Sequence, residues 1–166
     1  MNWPDHKRFI TDVCRHFPSG VPRGRELEHL ADCDAPLLVC GEAGGRAENE
    51  KGRPFVGAAG HVLDTILSNS HLQRSDLYLT NVVPYQPPHG NDFDSIPSTV
   101  IAEGAQVVKK KARVSGSRLI VPLGNNALYA LLGRRGIMKW RGSVLGSSSS
   151  ESMIRSSGRS TAAESS

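Results

Sequence analysis

Aromatic residues make up only 5% of this chain, against a hydrophobic content of 38%, so its core must be mostly aliphatic. Cysteine is also scarce. There are three, Cys14, Cys33 and Cys40, an odd number with no pair at Cys-x-x-Cys spacing. Neither disulfides nor a four-thiolate metal site is expected from that pattern. No run of 18 apolar residues occurs, and no charged-then-apolar leader pattern opens the chain. A soluble, cytoplasmic protein with no membrane partner is the expectation. Gly-Lys-Ser/Thr of a phosphate-binding loop is missing after Gly44-Gly45, and no Gly-x-Gly-x-x-Gly follows the first apolar run, so a nucleotide-binding α/β protein is the weaker reading. There is no internal repeat.

What is present fits one domain. The 166 residues are enough for a real core. The formal charge of +4 is compatible with nucleic acid without establishing it. Basic residues cluster at Lys109-Lys110-Lys111-Ala112-Arg113 and from Arg134-Arg135 to Lys139 and Arg141, and either cluster reads equally well as solvated surface.

Apolar periodicity sets the elements. Phe9, Ile10, Val13 and Phe17 predict an N-terminal helix over 2–17, with Pro4 in its first turn. A short helix over 25–31 leads to a first strand, Leu37–Cys40, closed by Gly41. Val62, Leu63, Ile66 and Leu67 mark a helix from about Ala58 to Asn69. Residues 76–83 read as a second strand, ended by Pro84 and Pro87-Pro88. Residues 97–114 read as a helix, 118–123 as a third strand, and 124–132 as a helix capped by Gly133. Strands alternating with helices predict an α/β fold with a parallel sheet of three to four strands, a three-layer α/β/α sandwich. Serine fills half of positions 147–166. A composition of that kind cannot bury enough surface to order itself, so 146–166 reads as a disordered tail.

The stretch from Leu37 to Gly60 carries the chemistry. In an open α/β sheet, ligands bind outside the carboxyl ends of the strands. Glu42 stands at such an exit, followed by Gly44-Gly45, a polar run to Lys51, and Gly52-Arg53-Pro54-Phe55-Val56-Gly57. The helix that begins near Ala58 offers a glycine-rich N-terminus suited to a phosphate or a polarised oxygen. Asn81 lies near the exit of the second strand, where it serves either a ligand or the backbone of a turn. Cys40, inside a strand, reads as a small buried apolar residue. Glu48 and Glu50 read as surface residues.

Several motifs together resemble the uracil-DNA glycosylase superfamily, closest to its family 4, the thermostable bacterial and archaeal type. They are Gly41-Glu42-Ala43-Gly44-Gly45, Glu48-Asn49, Gly52-Arg53-Pro54-Phe55-Val56-Gly57-Ala58-Ala59-Gly60, Leu63-Asp64, Tyr78-Leu79-Thr80-Asn81-Val82-Val83, Leu123-Gly124 with Ala127, and Arg141-Gly142. The resemblance implies an enzyme that cuts the N-glycosidic bond of uracil in single- or double-stranded DNA, in base excision repair, acting as a monomer. It implies Glu42 as the catalytic carboxylate, orienting water or stabilising the sugar cation. Phe55 would stack on the flipped base and Asn81 would read its Watson–Crick edge. Gly41, Ala43, Gly44 and Gly45 would complete the substrate site, with backbone N–H groups of Glu42–Gly45 as donors towards uracil O2.

The chain departs from that pattern in three places. The family's iron–sulfur cysteines are represented by Cys14 alone. Phe17 and Tyr85 stand at two other ligand positions, so no cluster and no metal is expected, with aromatic packing in its place. The family's Arg-Pro-Pro-x-Asn-Arg is here Gln86-Pro87-Pro88-His89-Gly90-Asn91. No histidine follows His89, so the His-Pro-Ser motif after a fourth strand is missing. The glycosylase-like domain is accordingly read as 1–145, incomplete at its C-terminus. The alternative function is a catalytically impaired member that binds DNA or a damaged base.

Overall fold

The computed structural model describes residues 9–20, 33–88 and 92–146. They divide into two compact units, residues 1–135 and 136–166. In the first unit, strands β1 (Leu37–Ala43), β2 (Leu77–Val83) and β3 (Leu119–Pro122) alternate with helices α1 (Arg46–Lys51), α2 (Ala58–Asn69), α3 (Ser98–Val114) and α4 (Asn125–Leu132). The second unit contributes a one-turn helix, α5 (Ile137–Trp140), in which the Lys139 ammonium lies 6.0 Å from the Trp140 ring centroid. The predicted helix over 25–31 and the serine-rich tail from 147 onward lie outside the described residues, as do His89, Gly90 and Asn91.

All strands run parallel, in the order β2-β1-β3. Alternation along each strand divides the core in two. Leu38 and Cys40 of β1, with Tyr78 and Val82 of β2, pack with Ala105, Val108 and Ala112 of α3 and Ala127 and Leu131 of α4. Val39, Leu77 and Leu79 face the other way, onto Leu63 and Leu67 of α2 and onto Phe55. Helices thus cover both sheet faces, which is the expected three-layer α/β/α arrangement. β1 runs three residues past the predicted end at Cys40. Its ladder continues through the pairs Gly41–Asn81 and Ala43–Val83, because β2 offers backbone partners beyond the apolar run. Gly104 lets α3 approach β2, since a Cβ there would meet the Val82 carbonyl.

The N-terminal segment overturns one expectation. Residues 9–17 are not helical. They lie along the outer edge of β2, where Val13 and Leu79 exchange backbone hydrogen bonds of 3.2 and 2.8 Å and the Ile10 N–H donates to the Pro84 carbonyl at 2.8 Å. The free edge of β2 supplies the backbone partners that a helix would have supplied internally.

Asp12 anchors this strap from within. Its carboxylate is buried and accepts hydrogen bonds from the Tyr78 hydroxyl at 2.7 Å, the Thr80 hydroxyl at 2.8 Å and the Lys111 ammonium at 2.5 Å. Lys111 is therefore not part of a solvated basic face: α3 turns it inward, and Asp12 neutralises it. Removing one partner of such a pair leaves an uncompensated buried charge, at a cost of about 3–5 kcal/mol.

Cys14 and Cys33 form a disulfide with Cα atoms 5.7 Å apart. This corrects the expectation that disulfides are absent: sequence spacing carries no information about two cysteines 19 residues apart that the fold brings together. Cys40 is free and fully buried, as expected, and burial pushes its thiol well above the usual range.

Candidate functional site

The site forms at the carboxyl ends of β1 and β2. Gly41 and Asn81 are register partners there. A Cβ on Gly41 would collide with the Asn81 Oδ1 and would come within 2.9 Å of the Phe55 Cζ. These contacts show how closely the three residues converge: the amide and the aromatic ring both lie over the one backbone position that has no side chain. Asn81 is 7% exposed and Phe55 equally so, so both side chains are buried at this point.

Phe55 adopts φ +54°, the left-handed region that bulky residues avoid. Such a conformation costs roughly 1–3 kcal/mol and persists only where its surroundings fix it. Three contacts do so. The Arg74 guanidinium donates to the Phe55 carbonyl at 2.5 Å and to the Gly60 carbonyl at 3.3 Å. Asp64 holds Arg74 in turn, at 2.5 and 3.2 Å. Gly60 itself has no room for a Cβ, which would strike the Phe55 carbonyl. The hydrogen bond and charge of Arg74 keep the Asp64 carboxyl below its ordinary range.

The third contact is Glu48. It is buried, not on the surface as the sequence suggested. Its Oε1 accepts the N–H groups of Val56 at 2.9 Å and Gly57 at 2.7 Å, and its Oε2 accepts that of Gly45 at 3.1 Å. Gly45 and Gly57 are the N-caps of α1 and α2. One carboxylate therefore takes the N-cap N–H of both helices, at helix ends where negative charge is favoured. The Gly45 N–H, which the sequence offered as a donor to a ligand, and the N–H of the residue that precedes α2 are thus committed to Glu48. The signal was present in the sequence: Glu48 stands three residues after Gly45, at capping-box spacing.

Glu42 projects differently. It is half-buried, and its Oε2 accepts a 3.0 Å hydrogen bond from Asn126 Nδ2 on α4. Alternation along β1 sends Glu42 towards α4, while Gly41 belongs to the side of Phe55. Ala43 ends the strand, and Gly44 is buried against Ile10 of the strap. Of the residues singled out from sequence, Gly41, Phe55 and Asn81 are brought together, Gly44 meets Ile10 and Gly45 meets Glu48, and Glu42, next to Gly41 on β1, faces the other way.

A cleft of about 390 Å³ adjoins Phe55 and Val56. Arg15, Lys51, Arg53, His61 and Arg74 line it, with Asp64 as its one acidic residue. It does not include Gly41, Asn81 or Glu42, so it lies beside the point where Asn81 and Phe55 converge.

The residues present do not fit the iron–sulfur cluster that the family resemblance implies. Such a cluster needs four thiolates, whereas two of the chain's three cysteines are joined to each other and the third is buried in β1. Around Cys14 the space is filled by Tyr85, which is buried, and by Phe9 and Phe17 packed beside it. The Phe9 and Tyr85 rings meet edge-to-face at 6.3 Å. Among the described residues, no group of three or more His, Cys, Asp or Glu side chains is gathered as a metal site would need, and no helix is long and apolar enough to cross a membrane.

Fold and site together define a three-layer α/β protein whose polar and aromatic side chains converge outside the carboxyl ends of its parallel strands. The family model of the uracil DNA glycosylase superfamily matches residues 28–163. The chain belongs to that superfamily. Within it, the chain is similar to type-4 uracil-DNA glycosylases. It is 41% identical over 93 residues to the enzyme of Archaeoglobus fulgidus, covering 56% of this chain and 45% of that protein. It is 37% identical over 103 residues to that of Pyrobaculum aerophilum, covering 60% and 50%. It is 32% identical over 115 residues to that of Thermotoga maritima, covering 69% and 58%. The chain thus spans about half the length of the curated relatives it matches.

Proposed function

We propose that this chain is a uracil-DNA glycosylase acting in base excision repair on single- or double-stranded DNA, as a cytoplasmic monomer and without an iron–sulfur cluster. The observation that carries the reading is the convergence of Asn81 and Phe55 over Gly41, in a chain that belongs to the superfamily. A flipped base entering this pocket stacks on the Phe55 ring. Asn81 donates from its amide to uracil O4 and accepts from N3–H; cytosine presents the reverse pattern and is refused. Unstacking the base costs a few kcal/mol, least for a mispaired one.

Hydrolysis breaks the bond between uracil N1 and the sugar C1′. The electron pair leaves with the base, and water adds to C1′. Glu42 serves the sugar side, orienting that water or stabilising the growing positive charge. The developing anion on uracil is met by backbone N–H groups of Glu42–Gly44, since that of Gly45 is held by Glu48. The cationic cleft beside Phe55 supports a polyanionic substrate.

A second reading is a member that binds uracil-DNA without cutting it. The position of Glu42, held by Asn126 on the side of β1 opposite Phe55, favours this reading. Incubation of the protein, in molar excess, with uracil-containing single- and double-stranded oligonucleotides separates the two. Abasic sites in either substrate support the enzyme. Tight binding with no base release supports the binding protein. Neither release nor a preference for uracil-DNA over its thymine counterpart removes both.

A further inference from the structure

We propose that Asn126 is a positioning residue for Glu42, an inference that rests on the glycosylase reading for its kinetic consequence but not for its geometry. The two residues are 84 apart in sequence. They meet because β1 and β3 are neighbours and α4 begins directly after β3, which brings the first turn of α4 to the exit of β1. Asn126 is the second residue of α4, following the N-cap Gly124 and Asn125. Its Nδ2 donates to Glu42 Oε2 at 3.0 Å, and among the described residues it is the donor to this carboxylate.

A glutamate at a strand exit has three rotatable bonds and reaches water easily. Fixing one oxygen removes most of that freedom and leaves Oε1 in a defined direction, which is what a group that must orient a water or face a sugar cation requires. An amide suits the task. It donates without adding a charge, so it orients the carboxylate without forming the ion pair that would mask it, as an arginine or lysine would. The first turn of a helix also favours negative charge, so α4 and Asn126 act on Glu42 in the same sense. The position is half-buried, and Ala127 behind it carries the packing of the helix start. Asn126 therefore does little for the core, and its hydrogen-bonding chemistry serves Glu42.

The test compares wild type with Asn126→Ala, Asn126→Asp and Asn126→Gln in single-turnover uracil release and in equilibrium binding of uracil-DNA. Loss of orientation predicts a release rate lower by about 10²-fold for Asn126→Ala. Asn126→Asp, isosteric but without the donor and of like charge to Glu42, should fall at least as far. Asn126→Gln, which keeps the donor, should recover part of the rate. DNA affinity and melting temperature should stay near wild type in all three. In a Glu42→Gln background, Asn126→Ala should slow release no further, because the two residues act as one unit. Additive losses, or losses that track affinity or melting temperature, overturn the proposal.

The crystal structure of Asn126→Ala supplies an arm that does not depend on catalysis. Glu42 retaining its wild-type rotamer there overturns the positioning role even if the enzyme is active. Glu42 displaced there, in a wild type that releases no uracil, upholds the positioning and overturns the glycosylase reading.

Discussion

The Glu48 carboxylate accepts the Gly57 backbone N–H at 2.7 Å, and through this bond the loop that carries Phe55 is tied to α1. The same carboxylate takes the N–H groups of Val56 and Gly45. Hydrogen bonds to a charged group contribute about 1.5–3 kcal/mol each, and a buried donor left without a partner costs about 1–3 kcal/mol. Glu48→Ala strands three donors at once and should destabilise the protein by roughly 3–5 kcal/mol, within the range of the most severe single substitutions. Glu48→Gln keeps the shape with weaker acceptors and should lose less. Chemical denaturation of the two variants gives the ordering; equal and small losses would show that water replaces the carboxylate.

Gly41→Ala tests the pocket from its floor. The added methyl would meet the Asn81 amide and the Phe55 ring, and neither is a free side-chain end. Gly41 belongs to a strand with no positive φ at that position, so backbone strain is not at issue. The expectation is a fall in uracil release of about 10²-fold or more, the scale of a misplaced binding group, with a melting temperature lowered by only a few degrees. Release assays alongside thermal melts separate a distorted pocket from a distorted fold.

Asp64 gives the loop a pH dependence. Its carboxyl titrates below the ordinary range because Arg74 donates a hydrogen bond to it. A depressed carboxyl stabilises the fold above the ordinary carboxylate value, near pH 4, and that contribution is lost as pH falls through the lower, folded value. Asp64 is about half exposed, so the effect is small, of the order of the 0–1 kcal/mol of a surface pair. Asp64→Asn should therefore be slightly less stable than wild type at pH 7 and indistinguishable from it at about pH 2. Urea midpoints measured across that range check the convergence; a constant difference would assign the loss to packing.

The Cys14–Cys33 disulfide closes a loop between residues 19 apart. Cross-links over loops of this size restrict the unfolded chain by about 3 kcal/mol in the entropic account. Reduction should lower the melting temperature by several degrees, and Cys14→Ser should reproduce that loss while abolishing its sensitivity to reductant. Thiol counting should find one group in the native oxidised protein that is inert to alkylation, the buried Cys40, and it should react only on unfolding.

Strand exits and helix periods were legible in the sequence because they are local. Leu37–Cys40, Leu77–Val83 and the helices over 58–69 and 98–114 follow from apolar spacing, and the motif around Phe55 with Asn81 pointed to base recognition. The N-terminal strap was not legible. Its apolar residues have helical spacing, and only the free edge of β2 and the buried Asp12–Lys111 pair make it extended. Glu48 looked like one more surface acid in a polar run; its capping-box spacing from Gly45 was legible, but its bonds to Val56 and Gly57 depend on tertiary contact.

The sequence by itself determined the α/β alternation and the superfamily, since those depend on periodicity and on short local motifs. The tertiary structure alone decided which side each candidate site residue faces. It placed Phe55, Asn81 and Gly41 on one side of β1, turned Glu42 towards Asn126 on the other, joined Cys14 to Cys33, and buried Lys111 on Asp12. Each of those outcomes depends on strand register and on contacts between distant residues, and sequence spacing does not encode them.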